Sequence, residues 1–324
     1  MNLMRAFIII VIGVGLLTSC NSNSAKNHTA KDETDKTRLS QKFKDYWYSG
    51  KAELSSYQLN QARYGQQNPE EAVMIFVTED FLTDQQVKHE QGKGKEATNV
   101  MKLNKIKRFH TGMYDYSMMM SVFTPVHHNQ YPHSLKVTTS AQDWCGHAYL
   151  QMNNRDGQYH WRGFSYFQDE VHEDYHTDTT WLEDEVWTRL RLAPETLPEG
   201  EVKMIPGSMF KRLRHRKLDP EKAVVERRSV EMEKGENQSV PADAMVYKIN
   251  YPEIERTLSI FYEKAFPHKI YGWIDKHKSG FGDNTKQLKT TAWLRETVRT
   301  DYWNKNSLTD STWRKRLKIN DFRK

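Results

Sequence analysis

Cysteine is nearly missing from this sequence. Two in 324 residues cannot staple a small disulfide scaffold, and with no Cys-x-x-Cys among them the disulfide-exchange motif is missing too. Long apolar runs are just as scarce. A mean hydropathy of −0.85, with Ala6 to Leu16 as the one sustained apolar stretch, excludes a polytopic membrane protein. There is no internal repeat and no alternation of strands with ten-residue helices, which argues against solenoids and doubly wound α/β folds. Neither sign of charge dominates, since 48 Lys and Arg stand against 42 Asp and Glu. With 37% hydrophobic and 12% aromatic residues, the chain is globular in composition, long enough for one large or two ordinary domains.

The first twenty residues carry an address. Met1 to Arg5 is a short basic segment, and the apolar stretch after it is too short to span a bilayer but has the length of a signal-peptide core. It ends in Leu17-Thr18-Ser19-Cys20, which resembles a bacterial lipobox: an aliphatic residue, two small residues for the peptidase cleft, and the thiol that receives the lipid. The bland alternative is an ordinary secretory signal with an incidental cysteine. On the lipobox reading, residues 1–19 are removed and Cys20 is acylated, with enough chains for stable anchoring. Residues 20–40 hold hardly an apolar side chain and read as a flexible tether. Asn21 resembles the residue with which many Gram-negative lipoproteins are sorted to the outer membrane.

Folded sequence is expected over 41–324, with 41–200 and 201–324 as a candidate division into subdomains. Phe43, Tyr46 and Trp47 have the spacing of a short amphipathic helix. The pattern then turns to strand: Val73 to Val77, Leu135 to Thr139 and Tyr159 to Phe164 are β-branched or aromatic runs. Breakers are expected at Asn68-Pro69, Gly92 to Gly94, His127 to Pro132 and Asn153 to Gly157. Thr180-x-x-Glu183 reads as a capping box opening a helix with Leu182, Val186, Trp187 and Leu190 on one face, ended by Pro194. Residues 201–230 read as extended and basic, and 231–243 as a charged loop. Further strands are expected at 245–251, 256–263, 268–274 and Gln287 to Val298, while Ser307 to Lys318 fits either a capped helix or an edge strand. The predicted class is mainly β: a large curved antiparallel sheet or half-barrel with one or two short helices.

Three segments, Gln61-Ala62-Arg63-Tyr64-Gly65, Glu71 to Phe81 and Asp143-Trp144-Cys145-Gly146-His147, resemble an uncharacterised family of Gram-negative envelope lipoproteins. The resemblance extends over most of the chain after Cys20. Members are sometimes labelled septum formation inhibitor Maf. True Maf proteins are cytosolic nucleotide pyrophosphatases with an N-terminal Ser-x-Ser-Pro-Arg-Arg type segment, which this chain lacks, so no catalytic residue is carried over. The resemblance implies an envelope location and no defined activity.

Chemistry has to be sought locally. Cys145 two positions before His147 can be read as thiol and base, or as neighbours on one face of a strand with the cysteine buried beside Trp144; Gly146 suggests a close backbone approach. His172-Glu173-Asp174-Tyr175-His176 matches H-E-x-x-H, in which His172 and His176 one helical turn apart would bind zinc while Glu173 polarises a water, yet its flanks lack an apolar face. His127, His128 and His133 cluster around Pro125 and Pro132 without the spacing of a metal site. The run Lys211 to Lys217 would, if extended, project Arg212, Arg214 and Arg216 as a row suited to phosphates or acidic glycans; the alternative is a solvated edge strand. Met118 to Met120, Phe123, Tyr149, Met152, Trp161, Phe164, Tyr166 and Phe167 suit an apolar pocket or simply a core.

These readings converge on a non-enzymatic, membrane-anchored envelope lipoprotein that binds an apolar or anionic ligand, or a partner protein. The expected partners are the membrane itself, anionic lipid, glycan or an envelope protein, with no nucleic acid and no cofactor. The competing reading is a metal-dependent hydrolase built on the HEDYH segment. The anchoring step is directly testable: with Cys20 replaced by Ser, incorporation of a labelled fatty acid should vanish and unprocessed or soluble protein should accumulate. Undiminished labelling of Cys20→Ser would end the lipobox reading.

Overall fold

In a computed structural model of the chain, the described residues are 39–90, 96–170, 172–230, 240–280, 282 and 285–319. Cys20, the signal segment, residues 20–38 of the tether, Gly92 to Gly94 and most of the 231–243 loop lie outside them. The first element is α1 (Gln41–Trp47), capped by the Ser40 hydroxyl, which accepts from the Phe43 amide at 3.2 Å, with Phe43 and Trp47 buried as the spacing predicts.

Hydrophobic alternation then produces one sheet. Its strands are β1 (Ala52–Arg63), β2 (Gln66–Leu82), β3 (Val87–Lys88), β4 (Ala97–Thr111), β5 (Tyr114–Pro125), β6 (Lys136–Asp143), β7 (Gly146–Arg155) and β8 (Gln158–Ser165), followed by β9 (Glu173–Asp178), β10 (Trp181–Leu182), β11 (Gly200–Ile205), β12 (Glu221–Ser229), β13 (Met245–Tyr251), β14 (Arg256–Tyr262), β15 (Ile270–Ser279) and β16 (Lys286–Thr300). The order across the sheet is β10-β11-β12-β13-β14-β15-β16-β1-β2-β4-β5-β6-β7-β8-β9, with β3 beside β2. Neighbours are antiparallel except for the two-residue parallel pairing of β10 with β11. The last strand lies beside the first, Ala52 opposite Thr300, so residues on both sides of position 200 share one sheet and one core.

Two-residue turns set the register. Asp156-Gly157, read from the sequence as a hairpin signal, joins β7 to β8 with φ of 51° and 76°, the left-handed pair that a type I′ turn requires. Asn68-Pro69 does not break the chain but sits inside β2, where Pro69 lies opposite Asn60. The expected strands over 245–251, 256–263, 268–274 and 287–298 are found as β13 to β16. Ser307 to Lys318 is helical, a 3-10 turn at Leu308–Ser311 running into α4 (Thr312–Arg316), after which Leu317 is buried beside Leu54 on the outer face of β1.

The centre of the molecule is α2 (Glu183–Leu192), bordered by strands that lie far apart in the sheet order. Its Val186, Trp187 and Leu190 are in the core as expected, and the 3-10 turn Pro194–Thr196 follows it. The start differs. Glu185, not Glu183, reaches back to the chain entering the helix, accepting from the Leu182 amide at 3.1 Å, while the Thr180 hydroxyl donates to the Lys203 carbonyl. The polar face differs more: every residue from Glu183 to Arg191 is buried.

The buried charges on α2 reach groups from separate parts of the fold: Asp184 accepts from the Ser208 amide, and Arg189 donates to the Pro132 carbonyl between β5 and β6. Arg191 donates to both Glu53 oxygens on β1 at 2.6 and 2.7 Å and to the Pro267 carbonyl at 3.0 Å. Glu183 accepts twice from Arg256 on β14, at 2.6 and 2.7 Å, and Arg256 also donates to Asp275 on β15. Glu185 accepts from the Ser134 amide and pairs with His133, both between β5 and β6. Strands far apart in the sheet therefore meet the same three-turn helix, and the sheet must curl around it. This arrangement predicts that Arg191→Met, which leaves Glu53 buried without its cation, costs about 3–5 kcal/mol in denaturant unfolding, and that Glu53→Gln added to it recovers part of that loss. A single-variant loss below about 1 kcal/mol, no more than an exposed pair contributes, would contradict it.

Candidate functional site

The sequence-predicted residues are dispersed by the fold. Cys145 is exposed, not buried, because Trp144 and Cys145 form the two-residue turn between β6 and β7. There the Asp143 carboxylate accepts from the amides of Cys145 and Gly146 at 2.9 and 3.2 Å, and Tyr114 donates to that carboxylate at 3.0 Å. An aspartate closing its own turn was the legible signal. Gly146 does mark a close approach: a Cβ there would stand 2.8 Å from the side chain of Tyr166.

The HEDYH segment is an extended edge strand, not a helix. On β9, His172 precedes the strand with a positive φ of 52° and His176 stacks on His160 with ring centroids 4.3 Å apart. Four residues along a strand is roughly 13 Å, too far for two imidazoles to share one metal. Glu173 projects to the opposite side and takes the Lys211 ammonium at 2.7 Å. Among the described residues no group of three or more His, Cys, Asp and Glu could hold a metal ion. The helical spacing that H-E-x-x-H needs is therefore not present at His172 and His176.

The basic row is not extended either. Residues 208–214 form α3 (Ser208–Arg214), whose Met209, Phe210 and Leu213 face the core at helical spacing; that short apolar pattern was hidden inside the basic run. Arg212 lies over the Phe167 ring, 3.4 Å from Glu170 and 3.5 Å from Asp143. Arg214 reaches the Gly280 carbonyl, and Arg216 is exposed beyond the helix. No shared row exists for an anion. Met118, Met120, Met152 and Trp161 fill the core, whereas Met119, Tyr149 and Phe164 face outward, Tyr149 and Phe164 as register partners on β7 and β8.

Sequence reasoning missed two places. The first is a small pocket of about 30 Å³ between α2, α3 and the inner face of β4, β14 and β15. Lys105 and Lys107 enter it from β4, Asp184 from α2, and Arg256, Asp275 and His277 from β14 and β15. Asp184 accepts from the Ser208 amide at 3.0 Å, but burial dominates and pushes its carboxyl up to about 6. Burial also opposes ionisation of Asp275, yet the Arg256 guanidinium and the nearby cations outweigh it together and hold that carboxyl down at about 2. The alternating in-out pattern of β4 places Lys105 and Lys107 on the buried face, which was readable once the strand was recognised.

The second is an open cavity of about 550 Å³ at one end of the sheet, bordered by the β2–β3 turn, the loop from β5 to β6 and the β7–β8 turn. Its wall combines Asp84, Tyr131, His133, Asn154, Arg155, Asp156 and Thr179. Gln86, buried with a φ of 53°, knits the wall together by donating to the Asn154 carbonyl and accepting from Asn153, both at 2.6 Å. His133 is held by Glu185 at 2.9 Å and lies edge-on to Trp181, so the cavity floor is tied directly to α2.

No protein-family model and no curated protein matches this chain. Among solved structures, a porin-like protein from Bacteroides uniformis aligns over 76% of this chain and 96% of its own, with 10% identity and a TM-score of 0.23. A score that low carries no argument about fold or function.

The two carboxyls of the inner pocket give opposite pH dependences. Asp275 has a folded pKa below its unfolded value, so its contribution is present above pH 4 and is lost as pH falls toward 2. Asp184 has a raised folded pKa, so folding is favoured where it is protonated and loses about 2 kcal/mol as pH rises from 4 through 6. Unfolding free energy measured across this range should fall between pH 5 and 7 in the parent and flatten in Asp184→Asn. An unchanged slope in that variant would reject the assignment.

Proposed function

We propose that this protein is a non-enzymatic lipoprotein of the cell envelope, anchored through Cys20, that holds an acidic glycan fragment in the cavity at the loop end of the sheet. The observation that carries this reading is the cavity wall. A space of about 550 Å³ is within the size range of small-ligand sites. Its lining combines the rings of Tyr131 and His133 with Thr179, Asn154, Asp84 and Asp156, residue types that match sugar rings and hydroxyls. Arg155 adds a guanidinium that has no ion-pair partner among the described residues, and a guanidinium fork suits a carboxylate.

The envelope address rests on the lipobox at Leu17 to Cys20 and on the resemblance of the three quoted segments. His133, on the cavity wall, is held by Glu185 and so keeps a fixed orientation toward a bound ring.

Calorimetric titration of the purified mature domain with a disaccharide containing N-acetylmuramic acid, and with uncharged chitobiose, tests the reading. The acidic disaccharide should bind more tightly, and Arg155→Gln should remove that preference by about tenfold, the scale of one charge-assisted hydrogen bond. Tyr131→Ala should weaken both sugars. No binding of either, or equal binding by Arg155→Gln and the parent, would overturn it.

A further inference from the structure

The inner pocket contains an amine whose surroundings differ from those of the other cations in the interior. Arg191 and Arg256 are fixed by carboxylates, and Lys107 donates to the Gln61 side chain at 3.2 Å. Lys105, 5% exposed, makes no hydrogen bond from its Nζ among the described residues; the nitrogen lies 3.3 Å from the centroid of the Trp187 ring and 4.4 Å from that of Trp273. The two indoles stand nearly perpendicular, at 82°, so the nitrogen sits in the corner between their faces, beside the small cavity lined by Asp184, Arg256, Asp275 and His277.

We propose that Lys105 is a covalent site for small aldehydes, its Nζ adding to the carbonyl carbon inside the pocket to form an imine. The step balances without an oxidant or reductant. The nitrogen lone pair forms the C–N bond, the carbonyl oxygen takes a proton to give a carbinolamine, and loss of that hydroxyl with a second proton releases one water as C=N forms. The nitrogen gives up its two protons in the process. Asp184 lines the same cavity and is positioned to supply and recover the proton.

Four observations support this chemistry. An amine adds to carbonyls only when neutral, and burial together with the neighbouring Lys107 cation holds Lys105 well below the usual lysine range, against the opposing pull of Glu183, Asp184 and Asp275. Arg256 and His277 also face the pocket, the first neutralised by its own carboxylates. A carboxyl that titrates near 6 rather than near 4 can be present as the acid close to neutral pH. A cavity of about 30 Å³ has room for roughly two waters, which limits the partner to an aldehyde of two or three heavy atoms. Finally, Gly207 at the head of α3 allows the Glu183 carboxylate to lie where a Cβ would stand, which keeps α3 seated over the pocket.

Acetaldehyde with cyanoborohydride at pH 6.5 tests the proposal, followed by peptide mass mapping of the intact folded chain. At that pH an ordinary lysine is neutral in only about one molecule in 10,000, so ethylation should concentrate on Lys105 by at least about tenfold over the mean of the other lysines. Lys105→Arg should lose this adduct and keep the background pattern. Asp184→Asn removes a charge that favours the ammonium and would by itself speed labelling, so several-fold slower labelling of Lys105 with the other lysines unchanged is the outcome expected of a proton-handling Asp184, and faster labelling would overturn that role. If Lys105→Arg fails to fold, Lys105→Met serves as the neutral control for the missing adduct. Labelling of surface lysines with Lys105 untouched would overturn the proposal, as would equal labelling at every lysine. Sugar binding at the loop end is measured separately and does not depend on this result.

Discussion

A ten-residue helix with five charged side chains has to be buried, and the rest of the architecture follows from how those charges are neutralised. Glu183, Asp184, Glu185, Arg189 and Arg191 are all inside. An ion taken from water into the interior costs several kcal/mol unless paired and hydrogen-bonded. The partners come from β1, β14, the β5–β6 loop, the β14–β15 turn and the head of α3. No flat sheet could deliver these groups to one helix. Such pairs contribute little net stability over apolar packing, but each misplaced strand would leave a buried charge unmatched, so they select one curvature and one register.

The same helix connects the two sites. Its first turn supplies Glu183 and Asp184 to the inner pocket and Glu185 to His133 at the cavity floor. These three carboxylates are consecutive, so in a helix they point in directions about 100° apart. Consecutive acids reach separate places only because the sheet surrounds them. A displacement of α2 would therefore be felt at both sites together, through Arg256 on one side and His133 on the other.

Much of the fold could be read from the chain. The long alternations of β2, β8 and β13 to β16, the Asp156-Gly157 turn and the Phe43-Trp47 spacing are local signals, and local physics is enough to place them. What could not be read depended on partners distant in sequence. Nothing near Arg191 announces Glu53, 138 residues away, and a charged helix face reads as solvent-facing until a surrounding sheet is known. The basic run at Lys211 failed for a related reason: its charge drew the reading toward an extended row, while Met209, Phe210 and Leu213 were the residues that decided its conformation. The HEDYH match failed because a motif depends on the helix that carries it, and β-sheet pairing with β8 wins over the residues 173–178.

Lys105 shows how far pattern alone goes. Its position on the inward face of β4 follows from period two, and an inward lysine on a strand is expected to be paired. The pairing it finds is with two indoles from different elements, Trp187 on α2 and Trp273 on β15. Two competing effects act on the nitrogen. The ring faces favour a cation, whereas burial and the neighbouring Lys107 charge act against the ammonium and prevail, leaving it well below the usual lysine range. The carboxylates that would restore the balance are already engaged: Glu183 and Asp275 by Arg256, and Asp184 by Ser208. Because those acids hold other donors, burial outweighs their pull on the ammonium, and an inward strand position that pattern alone reads as structural acquires an electrostatic setting unlike that of a surface lysine.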